Sequence, residues 1–309
     1  MRSGRQEDSE ADLMESGQQC LDKRLLRRSF NAAAASYDAT AVLQREVGKR
    51  LIERLELIRL NPRWILDIGA GTGATTRRLM QRYPRARFVA LDVASAMLRR
   101  ARRRAPLLQR LRCACADTES LPFAAGSFDL VFSNLTFQWV NDPERVFREI
   151  QRVLRPNGLL LFTSFGPDTL KELRQSWECV DGYVHVNRFV DMHEVGDALV
   201  RARLADPVME MEYFTLTYRS ARDLMRELKA LGAHNIIVGR NRGLTGRQRW
   251  FAMEAAYERL RAAEGLLPAT YEVIYGHAWG TQPVRQTVDR SGAIHVPLAE
   301  LGRRRFRAR

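Results

Sequence analysis

The stretch LDIGAGTG, residues 66–73, decides the fold of this chain. It continues the apolar run WILDIG, which reads as a buried strand, and ATTRRLMQRYP directly after it reads as a helix. Strand, glycine turn and helix in that order open a nucleotide-binding sheet. The glycines Gly69, Gly71 and Gly73 are spaced G-x-G-x-G, however, and a dinucleotide turn is spaced G-x-G-x-x-G.

Working outward, RFVALDV, LRCAC and SFDLVFSN read as strands and ASAMLRRARRR as the helix between the first two. DPERVFREIQRVL reads as a helix with Asp142 as N-cap and Pro143 in its first turn. Pro156-Asn157-Gly158 is expected to turn the chain into the strand LLLFTSF. This alternation predicts an α/β fold, a Rossmann-like, doubly wound, mostly parallel seven-stranded sheet. Ahead of it, helical spacing from Leu21 to Leu57 predicts two helices with a break near Tyr37-Asp38. Behind it, VMEMEYFTLTY and TYEVIYGHAWG read as an antiparallel strand pair, with a helical insertion between them capping the carboxyl edge of the sheet as a lid.

The expected organisation is a disordered tail (1–20), N-terminal helices (21–60), a cofactor-binding core (61–218), the helical lid (219–269), a last core strand (270–281) and a basic C-terminal tail (282–309). A chain of 309 residues, 45% hydrophobic, suits one elaborated domain or two small ones. No apolar run approaches the ~18 residues of a membrane span. The polar stretch at residues 1–20 does not read as a secretory signal, and the expected location is the cytoplasm. Cys20, Cys113, Cys115 and Cys179 form neither a disulfide framework nor a zinc cluster, and Cys113 and Cys115 read as small apolar strand residues. No metal site is expected.

In an open α/β sheet the ligand lies beyond the carboxyl ends of the strands, where the strand order reverses. Asp92, after the second strand, is placed to accept from ribose hydroxyls. Asp67, at the end of the first, would repel a pyrophosphate but pair with an ammonium group. Asp117, after the third, is placed to accept from an adenine amino group. An adenosine joined to a zwitterionic amino acid fits this set better than two nucleotides do, and S-adenosylmethionine is such a molecule, a methyl-donating cosubstrate. Val93, Thr118 and Asn134 stand beside these positions and complete the cofactor set, with the sulfonium expected near the loop SNLTFQWVND.

The succession LDIGAGTG, LDVASAMLRRA, CADTESLPFAAGSFDLVFSN and RVLRPNGLLLF resembles the class I S-adenosylmethionine-dependent methyltransferases over roughly residues 60–165. The flanks RRSFNAAAASYDATAVLQREVGKRL, FGPDTLKELRQSW, HNIIVGRNRGLTGRQRW and TYEVIYGHAWG resemble the malonyl-acyl carrier protein O-methyltransferases of biotin synthesis. That resemblance implies a carboxyl O-methyltransferase that esterifies the free carboxylate of a malonyl thioester, an early step toward pimelate. Such a carboxylate is already ionised at neutral pH, its pKa lying near ~4, so no general base is expected. The candidates for positioning the acceptor are Tyr37, Gln138, Trp139, His234 with its neighbour Asn235, and Arg240. Helix packing for Tyr37, a core plug for Trp139 and a helix cap for His234 are the competing readings. His185, His193, His277 and His295 read as structural or carry no assignable role.

Net charge is +14 and the isoelectric point about 10.3. A surface of that sign attracts nucleic acid, anionic membrane or an acidic protein. No aromatic-basic RNA-binding module and no asparagine-proline catalytic motif is present, since NDPERVF places Asn141, Asp142 and Pro143 on a helix cap. The expected partner is an acidic acyl carrier protein bearing malonate, or malonyl-CoA, met by arginines around the insertion. Two other readings share the cofactor half: methylation of another small acceptor, and an S-adenosylmethionine-binding protein of respiratory-complex assembly.

Overall fold

The computed structural model describes residues 20–106, 110–240, 243 and 245–281, together with two short strands beyond them. Three helical segments come first: α1 (Lys23–Ala33), the single turn α2 (Tyr37–Thr40) and α3 (Val42–Arg54). The alternating part follows as β1 (Trp64–Ile68), α4 (Ala74–Arg82), β2 (Arg87–Asp92), α5 (Ser95–Arg104), β3 (Leu111–Cys115), β4 (Phe128–Ser133), α6 (Pro143–Val153) and β5 (Leu154–Phe165). The rest comprises α7 (Lys171–Glu178), α8 (Met192–Arg201), β6 (Ala205–Tyr218), α9 (Ala221–Ala230), α10 (Arg247–Glu258) and β7 (Leu267–Trp279). Beyond these, β8 (Thr287–Val288) and β9 (Ile294–His295) pair with each other, and the remainder of residues 282–309 lies outside the described residues.

The seven-stranded sheet has the order β3-β2-β1-β4-β5-β7-β6. Its first five strands are parallel, and β7 runs antiparallel between β5 and β6. The chain adds β2 and β3 on one side of β1 and then crosses to β4 on the other, so the switch point lies at β1. The parallel strands are covered on both faces. Ile65, Leu130, Phe132, Leu159 and Leu161 point to the side where α3 and α4 pack. Leu66, Val131, Leu160 and Phe162 point to the side of α6 and α8. The period-two alternation of these residues is what lets one strand serve two cores.

Local chemistry explains the boundaries. Asp22 caps α1 by accepting from the backbone N–H groups of Arg24 and Leu25, and Asp142 caps α6 by accepting from that of Arg145, as its sequence predicts. Pro156-Asn157-Gly158 departs from expectation. Pairing of β5 with β4 already begins at Leu154, opposite Phe128, and resumes at Leu159 opposite Leu130. The Pro-Asn-Gly stretch is an irregularity inside β5, with Asn157 in the left-handed region (φ 61°) that asparagine tolerates. Cys113 and Cys115 are exposed rather than packed, because β3 is an edge strand. Cys20 is buried, and its carbonyl accepts from Val238, so residue 20 is held in the fold, and the rest of the expected tail, residues 1–19, lies outside the described residues.

Candidate functional site

The glycine turn leaves the carboxyl end of β1 with Gly69 at φ +66° and Gly71 at φ +53°. A Cβ on Gly69 would overlap the Thr136 side chain, so the turn needs both the left-handed conformation and the missing side chain. Asp92, at the end of β2, fastens the turn. Its Oδ2 accepts from the Gly71 amide at 2.9 Å and its Oδ1 from the Ala94 amide at 2.8 Å. Burial pushes the Asp92 carboxyl up to about 6, against the pull of those two amides.

Asp67 and Gly73 stand behind this surface. Asp67 is 2% exposed, is absent from the cavity lining, and accepts from Thr76 Oγ1 at 2.5 Å. Burial, with the nearby Asp92 adding to it, holds its carboxyl up at about 7 despite the Thr76 hydrogen bond. This carboxyl therefore braces the start of α4 against β1, where sequence reasoning assigned it to a ligand's ammonium group. Gly73 likewise does not line the cavity; a Cβ there would come within 2.8 Å of Ala101 Cα, so its role is to let α4 approach α5.

A cavity of about 460 Å³ opens over the turn. Gly69, Gly71, Asp92, Val93, Asp117 and Thr118 line its β1–β3 end, and Asn134, Gln138 and Trp139 line its middle, following β4. Tyr37 also faces it from α2. Burial, and then the carboxylates of Asp92 and Asp38, push the Tyr37 phenol well above the usual tyrosine range, so it stays a neutral hydrogen-bond donor.

The N-terminal helices form one wall. Lys23, Leu26 and Phe30 of α1 line the cavity on one helical row. Lys23 Nζ bridges Asp117 Oδ1 at 3.3 Å and Glu119 Oε1 at 2.7 Å. Phe30 meets Trp139 edge-on with ring centroids 5.5 Å apart. Asp38 accepts from Thr72 Oγ1 of the glycine turn at 2.6 Å and pairs with Arg104. From α3, the Gln44 carbonyl accepts from Asn134 Nδ2 at 2.9 Å. Sequence reading found the break at Tyr37-Asp38; the latch from Asp38 to Thr72 and Arg104 has no local signature.

The other end of the cavity lies beneath α9 and α10. Phe165, Trp177, Phe189, Trp250 and Tyr271 make it aromatic. His185, read from sequence as structural or unassignable, lines it too: its ring stacks on Trp177 at 3.8 Å, and its Nε2 lies 2.8 Å from Asp181 Oδ1. Lys229 and His234 are exposed at its rim, and burial of part of the ring together with Lys229 lowers the His234 pKa. Asn235 lines the cavity while donating to the Val184 carbonyl at 2.6 Å. Arg240 does not reach it: its guanidinium donates to the Ile237 carbonyl at 3.2 Å and closes its own loop. His193 pairs with Asp191 at the start of α8, His277 lies on β7, and the His295 side chain is outside the described residues. Among the described residues no group of three or more metal-ligating side chains occurs.

The lining fits an adenosine joined to a cationic amino acid. Three buried amide oxygens on cavity residues, Gln44 Oε1, Gln138 Oε1 and Asn187 Oδ1, have no partner. Buried acceptors left unpaired are costly and mark places where a donor is awaited. With Asp92 and Asp117 they give the site acceptors for hydroxyl, amino and ammonium groups, while the bare backbone at Gly69 and Gly71 admits close approach.

Residues 66–162 match the methyltransferase domain family. Among solved structures, phosphoethanolamine N-methyltransferase 2 of Haemonchus contortus in complex with S-adenosyl-L-methionine shares the fold. Its TM-score is 0.51 and its identity 16%, over 82% of this chain and 57% of that one. Curated relatives reach further along the chain. The malonyl-acyl carrier protein O-methyltransferase of Halorhodospira halophila is 51% identical over 288 residues, 93% of this chain and 98% of its own length. The enzyme of the same name from Laribacter hongkongensis is 54% identical over 266 residues, 84% of this chain and 89% of its own. At that identity and coverage, this chain belongs to the malonyl-acyl carrier protein O-methyltransferase family.

Proposed function

We propose that this protein methylates the free carboxylate of a malonyl group held as a thioester on an acidic acyl carrier protein, an early cytoplasmic step of biotin synthesis. One observation carries the reading. The aromatic half of the cavity is built from residues beyond the methyltransferase domain match at 66–162, and likeness to malonyl-acyl carrier protein O-methyltransferases runs through those residues as well.

S-adenosylmethionine supplies an electron-poor methyl group on its sulfonium. Asp92 and Asp117 hold its ribose and adenine, and the unpaired oxygens of Gln44 and Gln138 take its ammonium. A malonyl carboxylate arrives already ionised, so the protein's task is alignment and exclusion of water. Leu26 and Phe30 close the cavity from α1, the Tyr37 phenol covers the cofactor, and Trp139 bounds the path between the two halves. The aromatic chamber around Trp177 and His185 receives the thioester end. The exposed Lys229 gives the rim a positive charge that favours an anionic acceptor, with the neutral His234 imidazole beside it.

The test is purified protein with labelled S-adenosylmethionine and, in parallel, malonyl-carrier, malonyl-CoA, free malonate and RNA. Base-labile label on the malonyl thioesters alone supports the proposal. Label on RNA or on free malonate in preference to the thioesters refutes it.

A further inference from the structure

The arginines of the molecule are not spread evenly with respect to their acids. On the insertion acids are interspersed with them: Arg222 pairs with Glu254 at 3.2 Å, Arg226 with Asp223 at 2.7 Å and Arg261 with Glu258 at 2.6 Å, while Arg219, Arg247 and Arg259 are exposed and unpaired among the described residues. On α1 and α5 they are not. Neither helix contains an acidic residue, and Arg24, Arg27, Arg28, Arg99 and Arg103 are exposed and form no ion pair among the described residues. The carboxylate next to α1, that of Asp22, is occupied by backbone amides as the cap.

The two helices are held together. Asn31 Oδ1 accepts from the Ala96 amide at 2.8 Å, and Phe30, Ala34 and Met97 pack between them. Arg24 and Arg27 precede Asn31 on one helical row (i, i+3, i+7), and Arg99 and Arg103 follow Ala96 on another. The two rows start from the Asn31–Ala96 contact, so the joined helices form one ridge that carries four arginines and no acid. Local helix energetics account for Arg103, near the C-terminus of α5, but oppose Arg24 in the first turn of α1, where the helix dipole disfavours a cation. The ridge also stands beside the cavity mouth. The adjacent face of α1, about a quarter-turn round, lines the cavity, and the loop after α1 meets the end of α9, where Ser36 Oγ donates to the Ala230 carbonyl at 3.1 Å beside Lys229.

Resting on the function proposed above, we infer that the α1–α5 ridge is the docking surface for the acidic carrier protein, whose flexible arm then enters past Lys229 and His234. The insertion covers the thioester but does not receive the carrier. An unneutralised ridge steers an acidic partner and fixes its orientation.

The experiment compares two double reversals, Arg24→Glu with Arg27→Glu and Arg99→Glu with Arg103→Glu, with the insertion pair Arg222→Glu with Arg226→Glu. Each is measured by anisotropy of labelled malonyl-carrier, by KM for malonyl-carrier and for malonyl-pantetheine, and by affinity for S-adenosylmethionine. The ridge reversals are expected to weaken carrier binding and raise its KM by about tenfold or more, leaving malonyl-pantetheine and cofactor within about twofold. The insertion reversal leaves all four unchanged. Unaltered carrier binding by the ridge variants, equal losses with malonyl-pantetheine, or a loss confined to the insertion variant overturns the inference. So does a ridge that binds RNA while carrier affinity is untouched. Should a reversal fail to fold, the wild type answers by salt: carrier binding must weaken as ionic strength rises, and a flat response refutes the ridge. Absence of turnover on every malonyl thioester would count against the proposed function, whereas carrier anisotropy still reports on the ridge.

Discussion

Arg104 Nη2 lies 2.6 Å from Asp38 Oδ2, joining the end of α5 to the N-terminal wall of the cavity. Burial alone would raise the Asp38 carboxyl, but the hydrogen bonds from Arg104 and Thr72 outweigh it and hold the group below the usual range. Both side chains are about a third exposed (29% and 32%), so the pair adds little to global stability. Its expected effect is local, because Asp38 also accepts from Thr72 of the glycine turn and Tyr37, the proposed cover, directly precedes it in α2. Arg104→Gln and Asp38→Ala are each expected to weaken S-adenosylmethionine binding about three- to tenfold by calorimetry, with a Tm change of only a few degrees. An affinity equal to wild type would show that the latch does not order the cover.

The carboxyls of Asp67 and Asp92 are both raised, to about 7 and about 6. Such groups bind protons in the folded state that the unfolded chain has already lost between about pH 4 and those values. Their contribution to stability therefore grows as pH falls through that window and is lost as pH rises through it. Asp67→Asn, which retains an oxygen for Thr76 Oγ1, is expected to leave Tm at pH 8 unchanged or higher. A lower Tm at pH 8 would mean that the Asp67 charge is compensated. In its proposed role as acceptor for ribose hydroxyls Asp92 must be ionised, so S-adenosylmethionine affinity is expected to fall below about pH 6. Asp92→Asn should flatten that dependence.

Gly69 and Gly71 separate sterics from contact. Gly69→Ala meets both a left-handed φ and the Thr136 side chain, and is expected to cost about 2 kcal/mol or more in denaturant unfolding. Gly71→Ala, whose Cβ would have no neighbour nearer than 4.0 Å, bears only the backbone strain of about 1 kcal/mol but obstructs the cavity. It should retain most stability and lose ligand affinity. The reverse order of stabilities would contradict this reading of the turn.

The sheet was legible because strand and helix periods are written locally, and because each loop of the cofactor half follows directly from a strand. Val93, Thr118, Asn134 and Asp92 reach the cavity for that reason alone. Asp67 was misplaced because a carboxyl at a strand end points to either face, and only the packing of Thr76 from α4 decides which. Arg240 was misplaced because its loop folds on itself through Ile237. The chamber of Trp177, His185 and Trp250 stayed hidden because its parts lie far apart in sequence and meet only when α7 and α10 pack together.

Trp177 provides the aromatic wall on which His185 stacks. Trp177→Leu is expected to raise KM for malonyl thioesters about tenfold, the worth of one lost aromatic contact, with cofactor affinity unchanged. Equal loss of cofactor binding would show that the two ends of the cavity do not act separately.

The most direct measurement is mass spectrometry of malonyl-carrier after incubation with this protein and S-adenosylmethionine. The account predicts a malonyl thioester heavier by one methylene, released as methanol on mild alkaline treatment, and no change in carrier bearing acetate. A protein that binds S-adenosylmethionine yet leaves every malonyl thioester at its original mass would contradict it.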